Sequence, residues 1–275
     1  MKLFIYLIKR TLTNPYLLFW SIAFVTFFIV MGAFLESKSI PDVEEARQIY
    51  VSTWFGVVIL LSFSASSVTT SSIVSYHTGG LPHLFRFSRM TPLYFVVSIV
   101  LSNLVVIGVI GAYMLIAVYG MFSYAFSSPF PPNDLIMCIL TIFLSGLFFS
   151  SMSLFLGILS SKLNRGMSRF VDFLPLILGY LFGYAYLYVN FGSLVYVSPF
   201  NSIELLGESA YSGKGAPLDF AKASVQIAMN NNNYVQASDL LMSLSLLVWF
   251  MLIVIADVFL VRRLYLNPLE EGKVA

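Results

Sequence analysis

The chain has 275 residues, 59% hydrophobic and 16% aromatic but only 10% charged, with a formal net charge of +2 and a mean hydropathy of +0.87. Soluble domains are about one-quarter charged, so this composition excludes a water-soluble globule and leaves no length for a large domain outside a membrane. The single cysteine, Cys138, lies in an apolar run and excludes an intrachain disulfide and a cysteine metal site.

In chain order, the opening "MKLFIYLIKRTLTNPYLLFW" carries an apolar run, Leu3 to Ile8, cut off by Lys9-Arg10. No small-residue cleavage site follows, so a cleaved signal peptide is not expected. The expectation is a helix over residues 1–14 lying in the membrane interface, apolar side toward the acyl chains and basic residues at the headgroups. Asn14-Pro15 ends it, and Pro15 opens the next helix, where its missing N–H costs nothing.

About 20 apolar residues at about 1.5 Å each cross a hydrocarbon core of about 30 Å. Six uncharged or nearly uncharged stretches meet that length: residues 16–35, 51–74, 93–122, 135–159, 173–189 and 240–261. The third is long enough to tilt or protrude. Between the first two, "ESKSIPDVEEARQIY" predicts a short helix after Pro41, with Asp42, Glu44 and Glu45 in a first turn whose dipole favours them. Residues 193–206, "SLVYVSPFNSIELL", are apolar but too short to span and are interrupted by Pro199, which suits a re-entrant or interfacial segment. Up to residue 239 an extracellular region follows, with a helix-compatible "LDFAKASVQIAM" and a polar run from Asn230 to Asn233. The expected fold is an all-α membrane protein: one transmembrane domain over 1–275, six spans, both termini cytoplasmic. It adds an interfacial helix at the N-terminus and re-entrant or external helices in 193–239.

Basic residues set this orientation. With both termini inside, Lys2, Lys9, Arg10, Arg86, Arg89, Lys162, Arg165, Arg169, Arg262, Arg263 and Lys273 fall on the cytoplasmic side, and only Lys38, Arg47, Lys214 and Lys222 outside. The outer loops then hold most acidic residues, including Glu204 and Glu208.

Catalytic chemistry is not expected. The two histidines stand six residues apart in one loop, and no paired-acid, nucleophile–base or metal motif accompanies them. "SGKGAP" at 212–217 lacks the phosphate-cradling Gly-x-x-x-x-Gly-Lys pattern. Ionisable residues within spans mark ion or proton paths in other proteins. Here the clear cases are Asp172 and Asp257, for which local pairing with Arg169 and with Arg262-Arg263, or hydration, is the simpler reading. No nucleic-acid partner is expected.

Between the second and third stretches, residues 77–92 read "HTGGLPHLFRFSRMTP": basic, without an acidic residue, and punctuated by Gly and Pro. Gly80-Leu81, Leu84-Phe85 and Thr91-Pro92, with six spans, a basic amphipathic start and a short apolar piece before the last span, resemble an ABC-2 type exporter permease. That is the membrane subunit of an ATP-binding-cassette transporter. The charged cluster usual before the glycine in that family is replaced here by "SSIVSYHT". The resemblance implies that residues 77–92 form a coupling loop whose Leu84, Phe85, Arg86, Phe87 and Arg89 meet a separate ATPase. It also implies ATP and Mg bound by that partner rather than by this chain, a second permease chain, identical or paralogous, and export through the cell membrane. Arg86 and Arg89 also fit a purely topological role. Phe85 and Phe87 beside them resemble an interface centre, where apolar and arginine anchors combine.

Two further patterns concern a substrate path. Gly179-x-x-x-Gly183 lets a neighbouring helix approach closely. On another face of the same helix, Tyr180, Tyr184, Tyr188 and Phe191 form an aromatic stripe, read either as an interfacial belt or as a cavity lining for an amphipathic substrate. The second stretch contains "SFSASSVTTSSIVS", whose hydroxyl residues cover every helical face. Close packing and a path lining are both open there, with Ser66 and Thr70 as the candidates. The expected cargo is lipid-like, drug-like or a glycan. The alternatives are an ion- or proton-coupled carrier and a structural or sensory membrane protein.

Overall fold

A computed structural model describes residues 2–78, 91–220, 222–223, 226 and 234–266, apart from the side chains of Lys2, Ser39, His77, Arg165, Tyr184, Leu187 and residues 264–266. The expected coupling residues Leu84, Phe85, Arg86, Phe87 and Arg89 therefore lie outside the described residues. The described chain is all-α, 84% helical and without strands. Five of its helices are long and apolar enough to cross a membrane: Pro15–Lys38, Glu44–Tyr76, Pro92–Phe126, Leu135–Ser160 and Asp239–Arg263.

Helix α1, Lys2–Leu12, is amphipathic. Leu3 and Leu7, one turn apart, pack on a small cluster that includes Val74, Phe95 and Ile99, while Ile5 and Tyr6 on the other side are exposed. The Asn14 side chain accepts from the Tyr16 amide at 2.9 Å and so caps α2, Pro15–Lys38. Within α2, residues Leu18–Ala23 form a π-helical segment. There the Ser62 hydroxyl donates to the Ser21 carbonyl at 2.5 Å, the kind of side-chain insertion that accompanies such a widening.

Helix α3, Glu44–Thr78, is the central post, buried along most of its length and packed against α2 and the next four long or buried helices described below. The expected separate helix after Pro41 is instead the first two turns of α3, because nothing between Glu44 and Val51 breaks a helix. Glu36–Ser39, at the end of α2, forms a 3-10 turn. Helix α4, Pro92–Phe126, starts with the Thr91 hydroxyl accepting from the Tyr94 amide at 3.2 Å and ends at Ser127 in a left-handed conformation, φ 53°. Helix α5, Leu135–Ser160, is capped by Asp134, and α6, Arg165–Tyr188, by Asn164. The 35 residues of α4 are about 52 Å long at about 1.5 Å per residue, more than a bilayer core.

The stretch expected to be re-entrant or interfacial divides into a 3-10 turn, Gly192–Tyr196, and helix α7, Pro199–Ser212. Pro199 does not interrupt this helix; it begins it, after the Ser198 cap. Every residue of α7 is buried. It lies against α3, α5, α6 and α8, Asp239–Leu266. Its end is tied down by the Tyr211 hydroxyl donating to the Phe130 carbonyl at 2.7 Å and by the Asn133 amide donating to the Tyr211 carbonyl at 2.9 Å. Glu204 and Glu208, expected in an outer loop, are thus core residues, 0% and 1% exposed. After Gly213, φ 67°, residues 216–218 and 235–237 pair briefly through a single antiparallel bridge.

Two glycine contacts set the helix spacing. A Cβ on Gly207 would lie 2.8 Å from the Gly56 Cα, and one on Gly56 would fall on the Glu204 carbonyl, so α3 and α7 meet backbone to backbone. A Cβ on Gly179 would fall on the Ser64 hydroxyl, and one on Gly183 would lie 3.0 Å from Leu60. The close approach read from Gly179-x-x-x-Gly183 is therefore that of α6 against α3.

Candidate functional site

A groove runs along the face where α1, α2, α3 and α6 meet. Its wider part, about 560 Å³, is bounded by Arg10 and Asn14 from the end of α1, Tyr16 and Trp20 from α2, and Phe173 and Leu176 from α6. The α3 wall is Ala65, Val68, Thr69, Ser72, Ile73 and Tyr76. Those six positions advance by alternating steps of three and one, which keeps them on one side of a helix. A second compartment of about 400 Å³ continues the groove and shares Trp20, Ala65 and Leu176 with the first. Its walls are Phe24, Val25, Phe28, Leu61, Ile177, Tyr180 and Leu181. The groove is amphipathic along its length: a rim with Arg10, Asn14, Thr69, Ser72 and Tyr76, then an aromatic and aliphatic trench. Such a shape takes a molecule with one polar and one long apolar end.

Of the candidate path residues, Tyr180 lines this groove. Ser66 and Thr70 are buried one helical step away from it. Thr70 donates to Asn103 Oδ1 at 3.0 Å, and Asn103 Nδ2 donates to Ser150 Oγ at 3.3 Å, a ladder that joins α3, α4 and α5. The groove-facing hydroxyls of α3 are Thr69 and Ser72 instead. With Ser and Thr on every face of that helix, no periodicity in the sequence separates the two sets. Tyr188 is 78% exposed beyond the groove, and Phe191 stacks obliquely on Phe182, ring centroids 6.3 Å apart. The Tyr184 side chain lies outside the described ones.

Among the described residues, neither acidic residue read from the spans pairs with the arginine expected for it. Asp172 is buried and accepts from the Ser71 hydroxyl at 2.6 Å, while Arg169, the expected partner, is exposed. Asp257 is fully buried and neither of its oxygens has a hydrogen-bond partner among the described residues. Arg263, instead of pairing with it, lies over the Phe259 ring at 4.6 Å. The described residues contain no group of three or more His, Cys, Asp or Glu side chains able to hold a metal. Cys138 is buried.

Sequence reasoning missed the polar stripe on α7. Asn201, Glu204 and Glu208 occupy one face at steps of three and four, all at most 1% exposed. Asn201 Nδ2 donates to the Phe182 carbonyl at 3.1 Å, and its Oδ1 and all four glutamate oxygens have no partner among the described residues. Next to them, the Tyr186 hydroxyl donates to the Pro217 carbonyl at 2.5 Å. The i, i+3, i+7 spacing of Asn201, Glu204 and Glu208 within an otherwise apolar stretch was the available signal. No family model matches the chain, and no curated protein matches it.

Proposed function

We propose that this chain is the membrane subunit of an ABC-2 type exporter. Two such permeases would work with two separate ATPase subunits to move an amphipathic, lipid-like or drug-like molecule or a glycan across the cell membrane. The observation that carries this reading is the groove between α1, α2, α3 and α6. It is amphipathic along its axis and opens where the second and fifth spans of such a permease flank the path. The order of elements supports it: an amphipathic helix, then long apolar helices with the basic sequence of residues 77–92 where α3 gives way to α4, then a short buried helix before the last apolar one. In this reading α6 is a sixth span, both termini are cytoplasmic, and residues 77–92 take force from the ATPase.

The chain's own residues then act by shape and polarity. Arg10 and Asn14 hold a polar headgroup at the rim, and Trp20, Phe28, Leu176 and Tyr180 shelter the apolar part. ATP binding in the partner draws the loop 77–92 with it, tilting α3 and α4 and reshaping the groove that α3 forms with α6. The chain performs no covalent chemistry.

The test is purification of the full chain from its native membrane into nanodiscs. An ATPase should co-purify, with hydrolysis stimulated by amphipathic substrates. In F85A/R86A/R89A the folded chain should lose the ATPase or its stimulation. Recovery of a folded chain to which no ATPase binds overturns the reading.

A further inference from the structure

We propose that Glu204 and Glu208 form a buried proton-binding pair: at neutral pH they are carboxylic acids, and their protons keep α7 seated between α3 and α6. The inference is independent of the transport reading and rests on where the helix places these side chains.

Both glutamates are on one face of α7, a turn apart, at 0% and 1% exposure. No cation offsets them: among the described residues the two ion pairs are Arg47 with Asp42 and Lys214 with Glu45. An unpaired charge in such surroundings costs several kcal/mol or neutralises itself by binding a proton. Two adjacent carboxylates add mutual repulsion.

Oxygen acceptors lie close to the pair, and the nearby donors are largely committed elsewhere. Thr53 of α3, which lies toward Glu208, commits its hydroxyl hydrogen to the Ile49 carbonyl at 2.9 Å. Asn201 commits an amide hydrogen to Phe182, leaving Oδ1 unpartnered one turn from Glu204. From α6, Tyr186 commits its hydroxyl hydrogen to Pro217. None of the four glutamate oxygens receives a hydrogen bond among the described residues, which leaves an ionised carboxylate uncompensated; a protonated one carries an O–H that these lone pairs can take. The remaining titratable neighbours add no positive charge. Tyr234 faces Glu208 from the 234–237 segment, Asp239 of α8 faces Ser209, and Cys138 of α5 faces Tyr211.

A metal ion fits less well. Hard cations take about six to eight oxygens, and no third acidic, histidine or cysteine side chain joins the pair among the described residues. The Gly56–Gly207 contact also holds α3 and α7 backbone to backbone beside the pair. A proton needs no space. Burial raises both carboxyls, that of Glu208 to about 8, and the neighbouring Glu208 raises Glu204 further. The folded state therefore holds protons that the unfolded chain releases above about pH 4.5. The contribution of Glu208 is complete below that pH and is lost as pH rises through about 8.

The experiment is infrared spectroscopy of the full chain in nanodiscs, following the carboxylic-acid carbonyl stretch, beside thermal unfolding across the same pH range. The wild type should show this band at neutral pH and lose intensity as pH rises through about 8. E204Q and E208Q should each remove part of it, and the melting temperature of E204Q/E208Q should fall less between about pH 5 and about pH 8. D257N separates the contribution of Asp257, so that if the glutamine variants do not fold, the titration of D257N alone decides. No band at neutral pH in D257N overturns the proposal. So does a melting temperature raised by Ca2+ or Na+ in the wild type but not in E204Q/E208Q, which would make the ligand a metal ion.

Discussion

Gly207→Ala tests the packing of the buried helix most directly. The added carbon would lie 2.8 Å from the Gly56 Cα and 3.4 Å from the Gly56 nitrogen. Carbon atoms rest at about 3.5–4.0 Å, and both neighbours are backbone, so relief requires α7 to move away from α3 by about 1 Å. Overpacking of this kind costs about 1–3 kcal/mol, partly offset by the about 0.5–1 kcal/mol gained when alanine replaces glycine in a helix. The expected net loss is about 1–2 kcal/mol. The control is Gly108→Ala on α4, where nothing lies within 4 Å of the new carbon; its stability should be unchanged or slightly raised. Thermal unfolding of the purified chain in one detergent, read by size-exclusion chromatography after heating, compares the two. If G207A melts with the wild type and with G108A, the backbone contact between α3 and α7 does not hold α7 in place. G56A should resemble G207A, and the two losses should not add, because both push on one contact.

Three further outcomes follow from other contacts. Asn103→Ala removes the link between Thr70 and Ser150 and should lower stability by about 1 kcal/mol in the same assay, near the range for hydrogen bonds between membrane helices. Cys138, fully buried, should resist a thiol-reactive maleimide in the folded chain and react only after denaturation in SDS. Trp20 borders both compartments of the groove. W20A should weaken binding of a fluorescent amphipathic probe at least tenfold, measured by titration in nanodiscs, without lowering the melting temperature by more than a few degrees.

Helix limits were legible where local chemistry sets them. Asn14-Pro15 and Thr91-Pro92 mark starts in the sequence, and in the structure the Asn14 and Thr91 side chains accept the first free amides. The Gly179-x-x-x-Gly183 spacing likewise named a contact face, though not its partner. The candidate site was harder to read. Thr69 and Thr70 are chemically identical, yet one borders the groove and the other bonds to Asn103; only the rotation of α3 against α4, α5 and α6 separates them.

The sequence alone determined that the chain is helical and apolar enough to enter a membrane repeatedly, because hydropathy and capping act over a few residues at a time. The tertiary structure decided the fate of Asn201, Glu204 and Glu208. By sequence, most of this 14-residue helix reads as a re-entrant or interfacial segment with its glutamates outside, and it becomes interior only because four other helices close around it. Burial depends on neighbours distant in the chain: Gly56 lies about 150 residues before Gly207, and their contact draws the polar face of α7 out of reach of water.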